Sequence, residues 1–527
     1  MRFAIPAVFR PLRYGKYRAF WLGNLCTHFA TWMQVVAAAW LMISLSPRSD
    51  LVAMIQTATT LPAIISSIAG GIFSDLWNRR IVLLYGQVIM LIGTAMLAIL
   101  NGFETITPWL LLAFTFVVGA GTHMNLPANQ TTAGELVPYE EIPRAIALNA
   151  IGYNLARSIG PSLGGLLVAL YGVTTTFAVS SLLYVVLVFV LLRWKQTPKR
   201  DELPREPLWA AVGAGFRYLR HAPEAIAGMV RCTVFTIAAS AIWALLPLLA
   251  EQQLAGSSMF YGFLLGCLSV GAVAGALLFD RLKQKLSSEM LVSVGGVLLS
   301  MAIFCLGLTT YLPLVILALF VVGIVWVANL TVLNVTVQLS AAEWVRTRLL
   351  SLYYAALAGG LALGSWFWGM LTQHYGLETA LITAGVFSVA SLMLSPFFHL
   401  PGQLTNDLVP VSHSLAVELS PDIEPGSHAV LVNVEYRIDR ARLHEFQAAM
   451  EKLRAIRLRD GAANWSLYQS AADAALWIES FAVASWTEYL RRRRRLTMRD
   501  WPAIEAVRQF HTGPDKPLVT RFIRRRW

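Results

Sequence analysis

The sequence predicts an all-α membrane protein with twelve transmembrane helices in two six-helix repeats, followed by a C-terminal α+β soluble domain. Three observations predict it. Of 527 residues, 56% are hydrophobic and only 14% charged, which is more apolar surface than a soluble core hides. Segments of the two halves match at an offset of about 204 residues, the mark of a parallel internal repeat. After Pro401 the composition turns abruptly to Pro, Ser, Asp and Glu, and then to alternating and amphipathic patterns.

Taking roughly 20 apolar residues per span, helices fall near 20 to 45, 51 to 73, 81 to 100, 108 to 135, 143 to 170 and 174 to 192. A second set follows near 226 to 249, 259 to 278, 290 to 308, 313 to 338, 348 to 374 and 379 to 398. The expected division is an N-terminal bundle over 1–200, a linker over 201–225, a C-terminal bundle over 226–400, a second linker over 401–427 and a soluble domain over 428–527. Arg2, Arg10, Arg13, Lys16 and Arg18 precede the first apolar segment, which is too long for a signal-peptide core and is expected to be retained as the first helix.

Lys and Arg number 42 against 30 acids, a net charge of +12. These bases lie at the ends of apolar segments: Arg79 and Arg80, Arg144, the Arg193 to Arg220 stretch, Arg281, Lys283 and Lys285, and Arg346 and Arg348 occupy alternate loops, while the opposite loops offer Arg48. Such asymmetry reads as a topology determinant and puts both termini on the cytoplasmic side of a bacterial inner membrane. No basic motif of the kind that reads bases accompanies the charge, so nucleic acid is not an expected partner. Cys26, Cys232, Cys267 and Cys305 are scattered without a C-x-x-C pair, so neither a metal site nor a disulfide framework is expected, and no cofactor. The chain holds no G-x-x-x-x-G-K-[ST] loop, which argues against ATP-driven chemistry.

The repeat is carried by particular residues. Asn125-Leu126 returns as Asn329-Leu330, Arg144 as Arg348, Gly160 as Gly364, Gly165 as Gly369, and Asp75 as Asp280 one residue off register. Around Asp280 the copy is worn, with Ala276 in place of Gly71 and spread bases in place of Arg79-Arg80.

In the tail, Val430 to Ile438 reads as a strand, Ala441 to Leu458 as a helix, Trp465 to Gln469 and Trp477 to Val483 as strands, Ser485 to Arg495 and Ala503 to His511 as helices, and Leu518 to Ile523 as a last strand. That order is β-α-β-β-α-β, the order of a ferredoxin-like fold.

The stretch Gly71 to Leu83 sets a small residue, Asp75, and the pair Arg79-Arg80 between two long apolar runs. It resembles the loop between the second and third helices of major facilitator superfamily transporters, with Asn78 where that family has Gly. A narrower resemblance, to the bacterial subfamily that includes the enterobactin exporter, rests on several segments. They are Gly23 to Leu25, Thr31 to Gln34, Glu135 to Pro138, Ile146 to Asn149, Asn154 to Gly165, and in the tail 434 to 439, 456 to 462 and 485 to 490. The resemblance implies a proton-coupled exporter of siderophores or drug-like molecules working by alternating access. It also implies that Asp75 packs against the eleventh helix. An acid there is favoured beside a helix N-terminus, and Arg79 or Arg80 reaching Glu135 would complete a cytoplasmic latch. The arginines have an alternative role in topology and lipid phosphate binding.

Gly160, Pro161, Gly164 and Gly165 resemble the fifth-helix motif of exporters, where Pro frees a backbone bond and small residues allow close approach. A packed kink without bearing on transport direction is the alternative. Arg157 is the costliest residue in the spans, since a permanent charge at midplane must face protein or a wet cavity. Its repeat counterpart is Leu361, and an anionic or catecholate-like small molecule would suit it. Pairing with carbonyls or Glu135 is the alternative. His28 and His123 titrate near neutral pH in water and are candidates for proton coupling, against simple hydrogen-bonded packing. Gln34, Asn154, Asn329 and Asn334 are candidate cavity donors, against hydrogen bonding between helices.

The run Arg491 to Arg495 and the terminal Arg524 to Arg526 lie ready for anionic lipid headgroups or simply complement a helix end. The tail fold resembles the antibiotic-biosynthesis monooxygenase group, whose members pair into dimeric barrels, so dimerisation through this domain is an expectation. A rival reading makes the membrane part a scaffold and the tail a sensor or cofactor-free oxygenase.

Overall fold

A computed structural model of the chain describes residues 7–76, 79–194, 208–342, 344–401 and 429–524. It resolves into two compact units. One comprises Met1–Arg205, Ala227–Val335 and Ser351–Gly402; the other comprises Glu206–Ile226, Thr336–Leu350 and Gln403–Trp527.

The helices in chain order are α1 (Gly15–Leu45), α2 (Ser49–Leu76), α3 (Arg79–Gly102), α4 (Pro108–Glu135), α5 (Ile142–Arg193), α6 (Leu208–Arg220), α7 (Pro223–Leu248), α8 (Ser258–Lys285), α9 (Ser288–Leu308), α10 (Leu312–Leu339), α11 (Arg346–Tyr375) and α12 (Leu377–Ser391). Among the described residues, ten helices are long and apolar enough to cross a membrane. Three of them start on capping residues. Thr107 accepts from Leu110 N at 3.3 Å ahead of Pro108, Ser257 from Phe260 N at 3.4 Å, and Ser287 from Met290 N at 3.2 Å.

Two helices expected over 143 to 170 and 174 to 192 run together as the 52-residue α5, broken at Gly172 (φ 81°, ψ 171°). That backbone is one only glycine adopts without strain. The stretch expected as a linker over 201–225 contains α6, and from Glu206 on it belongs to the second unit.

The repeat is visible in the packing. In the first half α3 meets α4 where a Cβ on Gly86 would stand 2.2 Å from Asn125 Oδ1; in the second, α9 meets α10 where a Cβ on Gly295 would stand 2.3 Å from Asn329 Oδ1. Each asparagine thus fills the notch left by a missing side chain, and close helix approach in lipid is gained from such small residues.

The C-terminal part of the second unit orders β1 (Val430–Arg437), α13 (Leu443–Arg459), β2 (Ala463–Gln469), β3 (Leu476–Val483), α14 (Trp486–Arg495), α15 (Trp501–Arg508) and β4 (Leu518–Ile523). The sheet order is β2-β3-β1-β4, and every neighbouring pair is antiparallel, with Val434 opposite Glu479 on one side and Val519 on the other. Alternation along β1 and β3 sends Val430, Val432, Val434, Tyr436, Trp477, Phe481 and Val483 to one face, where Phe446, Met450 and Leu453 of α13 cover them.

Glu479 points into that same face and is fully buried. It is satisfied by Arg457 Nε at 2.9 Å, Trp465 Nε1 at 3.0 Å and Tyr436 OH at 3.2 Å. Burial alone would push its carboxyl up, but the Arg457 guanidinium and these hydrogen bonds outweigh it and hold the group below the usual glutamate range.

Candidate functional site

The first unit places polar side chains on its inner helix faces, and the α5 face carries the costliest of them. Arg157 sits half-way along the first arm of α5, and its Nη2 is buried without a hydrogen-bond partner among the described residues. One turn earlier, Tyr153 lies within electrostatic range of the guanidinium. Its ring meets His28 of α1 edge to face at 5.2 Å. On the other side, the Arg157 carbonyl accepts from Ser269 Oγ of α8 at 3.1 Å. Two residues singled out in the sequence, His28 and Arg157, are therefore brought to one place by a third, Tyr153, that was not. Tyr153 stood one turn from Arg157 and could have been found by asking what shares its helix face.

The glycines of α5 explain how neighbours approach this arginine. Gly160 packs on Trp32 and Gly164 on the backbone of Met33, both in α1. Gly165 lies so close to α8 that an added Cβ would be 2.3 Å from Ser258 O. Ser258 Oγ donates to Gly165 O at 3.2 Å, and Ser162 Oγ to Gly262 O at 3.2 Å, so the α5–α8 seam is closed from the far end of α5's first arm back to Arg157. Pro161 lies in the seam, its carbonyl against Gly262.

A second seam joins α2 to α11 at the same end: Gln373 Oε1 accepts from Ser49 N at 2.7 Å, and Thr57 Oγ1 donates to Ala362 O at 3.0 Å. Further along, at Gly359, the nearest α2 atom is the tip of Ile64 at 3.7 Å from an added Cβ. Both seams thus tighten toward the end where α1 finishes.

The other candidates lie elsewhere. His123 of α4 is directed at the backbone of Thr59 in α2, within a helix interface. Gln34 is buried in α1, and Asn154 donates to Ala150 O of its own helix at 2.9 Å. Asn329 is fully buried between α9 and α10, donating to Val292 O at 3.4 Å, and Asn334 hydrogen-bonds Tyr354. None of these five joins the Arg157 cluster among the contacts described.

In the latch region, Arg80 donates to Leu191 O at 2.7 Å and Leu192 O at 2.9 Å, carbonyls at the end of α5. The latch expected from the sequence joins Arg79 or Arg80 to Glu135. Gly71, Asp75 and Glu135 lie on helices, but their side chains fall outside the described residues, and Arg79 is engaged as well. Arg144 pairs with Glu141 at 2.9 Å.

Two further polar groups were not anticipated. Gln87 donates to Thr27 Oγ1 at 2.8 Å, and Asn24 and Asn129 exchange amide hydrogen bonds at 3.1 and 2.7 Å, tying α1 to α3 and α4. In the second half, Arg231 of α7 pairs with Glu289 of α9, which also accepts from Ser395 Oγ and from Leu400 N at 3.0 Å. Arg231 and Glu289 are 58 residues apart, and nothing in their local pattern links them.

Residues 6–526 match the family described as transmembrane secretion effector. The chain belongs to that family of major facilitator transporters. It is 23% identical over 396 residues to the multidrug efflux pump Tap of Mycobacterium tuberculosis, covering 72% of this chain and 91% of that protein. It is 18% identical to the staphyloferrin A transporter of Staphylococcus aureus, over 72% of this chain and 95% of that one. With the enterobactin exporter EntS of Escherichia coli it shares 29% identity over 48% of this chain and 60% of that one.

Among solved structures, a bacterial homologue of the lysosomal transporter Spinster in an inward-facing, unoccupied conformation superposes with a TM-score of 0.60 at 15% identity, covering 74% of this transporter and 98% of that chain. A D-xylose–proton symporter does so with a TM-score of 0.57 at 15% identity, over 73% and 97%. At these identities the likeness is one of fold.

Proposed function

We propose that this transporter exports a small molecule, of siderophore or hydrophobic drug-like character, across the bacterial inner membrane by alternating access, in exchange for protons. Its membrane part is read as twelve spans with both termini cytoplasmic, α5 supplying the fifth and sixth on either side of Gly172. The C-terminal sheet order β2-β3-β1-β4, with α13 in one crossover and α14 and α15 in the other, supports a ferredoxin-like domain.

The observation that carries the reading is Arg157. A midplane guanidinium whose buried Nη2 has no hydrogen-bond partner among the described residues, with Tyr153 near it and the Tyr153 ring against His28, is a ready counter-charge for an anionic cargo. The α5–α8 seam is closed from Gly165 to Arg157, so a cargo there would be shut off from the far side. The tight α2–α11 seam at the same end supports an inward-open state. Rocking the two halves would exchange which end is sealed. The small molecules named for Tap, EntS and the staphyloferrin transporter support the substrate class. His28, adjacent to Tyr153, is the proposed proton carrier.

Inverted membrane vesicles test this. With an acid interior, they should accumulate catecholate or carboxylate chelators, and a protonophore should abolish the accumulation. Accumulation that ignores the proton gradient, or that occurs only in right-side-out vesicles, would overturn the coupling or the direction.

A further inference from the structure

The second unit gathers stretches far apart in sequence: α6, the start of α7, the turn between α10 and α11, and the C-terminal sheet with its helices. They meet around two aromatic rings. Tyr218 of α6 is 3% exposed. Its hydroxyl donates to Ser340 O at 3.1 Å and accepts from Ala342 N at 3.1 Å, so α6 is pinned to the α10–α11 turn. Trp344 of that turn meets the Tyr218 ring edge to face at 5.8 Å.

The C-terminal domain covers both rings with cations. The Arg459 guanidinium lies 5.5 Å from the Tyr218 ring, and that of Arg495 lies 4.4 Å from the Trp344 ring. Neither arginine is free to swing. Arg459 is held by Asp460 at 2.9 Å and by both oxygens of Asp500 at 2.9 and 2.8 Å, while Arg495 is held by Glu488 at 2.5 Å and by Asp460 O at 2.9 Å. Guanidinium groups anchored from behind by carboxylates present a fixed planar face, the arrangement in which an arginine gives most against an aromatic ring. A third tie runs from Arg499 to Glu224 in the first turn of α7 at 3.0 Å.

We infer that this composite face of α6 and the α10–α11 turn is a permanent dock for the C-terminal domain, kept unchanged through the transport cycle. Every segment the domain grips here is chain-continuous with α7, α10 or α11, and the unit contains no segment of the first half. The first half holds its own equivalent turn differently, through Tyr17 OH donating to Ala145 O at 2.8 Å. The inference rests on these contacts and not on the cargo, its direction or the coupled ion.

Pulsed electron-spin distance measurements on the full-length transporter in lipid nanodiscs test it. One label pair replaces exposed residues of α6 and α13 (Phe216→Cys with Glu451→Cys). A second pair reports the opening of the two halves (Ile146→Cys with Leu277→Cys). The expected result is a single narrow 216–451 distance that holds while the 146–277 distance is driven between its two values. Trp344→Ala should weaken docking by about two- to thirtyfold and broaden the 216–451 distribution, whereas Trp344→Phe, which keeps a ring, should leave it narrow. A 216–451 distance that shifts together with 146–277, or one indifferent to Trp344→Ala, overturns the inference.

Discussion

The two halves of the membrane unit use one packing plan and two polar plans. At the notch where the third helix of each half meets the fourth, Gly86 with Asn125 is reproduced by Gly295 with Asn329, down to an asparagine Oδ1 without a hydrogen-bond partner among the described residues in each. Six residues before those glycines the plans part. Arg80 donates to the carbonyls of Leu191 and Leu192, whereas Glu289 accepts from Leu400 N and from Arg231. Opposite charges at matched positions each tie down the chain near the end of that half's last helix. Half-way along the fifth helix, Arg157 has Leu361 as its counterpart, and there the plan breaks altogether. Packing is thus symmetric at the Gly–Asn notches, while charge differs between the halves at Arg80, Glu289 and Arg157.

The comparison can be broken at several points. The largest effect is expected from Glu289→Ala, which leaves the buried Arg231 without its counter-charge and should cost about 3–5 kcal/mol. Thermal unfolding in detergent reads it, and an unfolding temperature near that of the unsubstituted protein would deny the pair its structural role. Next come Gly86→Ala and Gly295→Ala, each forcing a methyl group into an asparagine, at about 1–3 kcal/mol. If the packing is truly duplicated, the two losses agree within about 0.5 kcal/mol; a much larger loss in one half would show that the symmetry is only apparent. Arg80→Ala should be the mildest, about 1 kcal/mol, since its site is half-exposed and the hydrogen bonds to the carbonyls of Leu191 and Leu192 are lost there.

Much of this fold was legible because lipid imposes simple rules. Apolar runs set the helix positions, and α10, expected near 313 to 338, spans Leu312–Leu339. The strand at 518 to 523 was equally plain, because turn residues bound it on one side. What the sequence hid is tertiary in origin. Helix α6 is short and amphipathic rather than apolar, so a search for spans passes over it. The Arg231–Glu289 pair depends on two helices meeting, and no spacing announces it.

Of the candidate site, Arg157 was conspicuous because of its cost in lipid, and His28, which meets Tyr153, because of its chemistry. Tyr153 escaped notice, since tyrosine is an ordinary membrane residue until its helix face is known. The asparagine at 329 was singled out for its polarity, which the fold spends on helix packing.

Cargo binding in this transporter turns on Arg157. Uptake of an anionic chelator into inverted vesicles should be lost in Arg157→Leu, which gives the first half the residue of the second, while protein level and unfolding temperature stay unchanged. Arg157→Lys, which keeps the charge, should retain measurable uptake. Uptake at the unsubstituted rate by Arg157→Leu would contradict the central claim that this guanidinium receives the cargo.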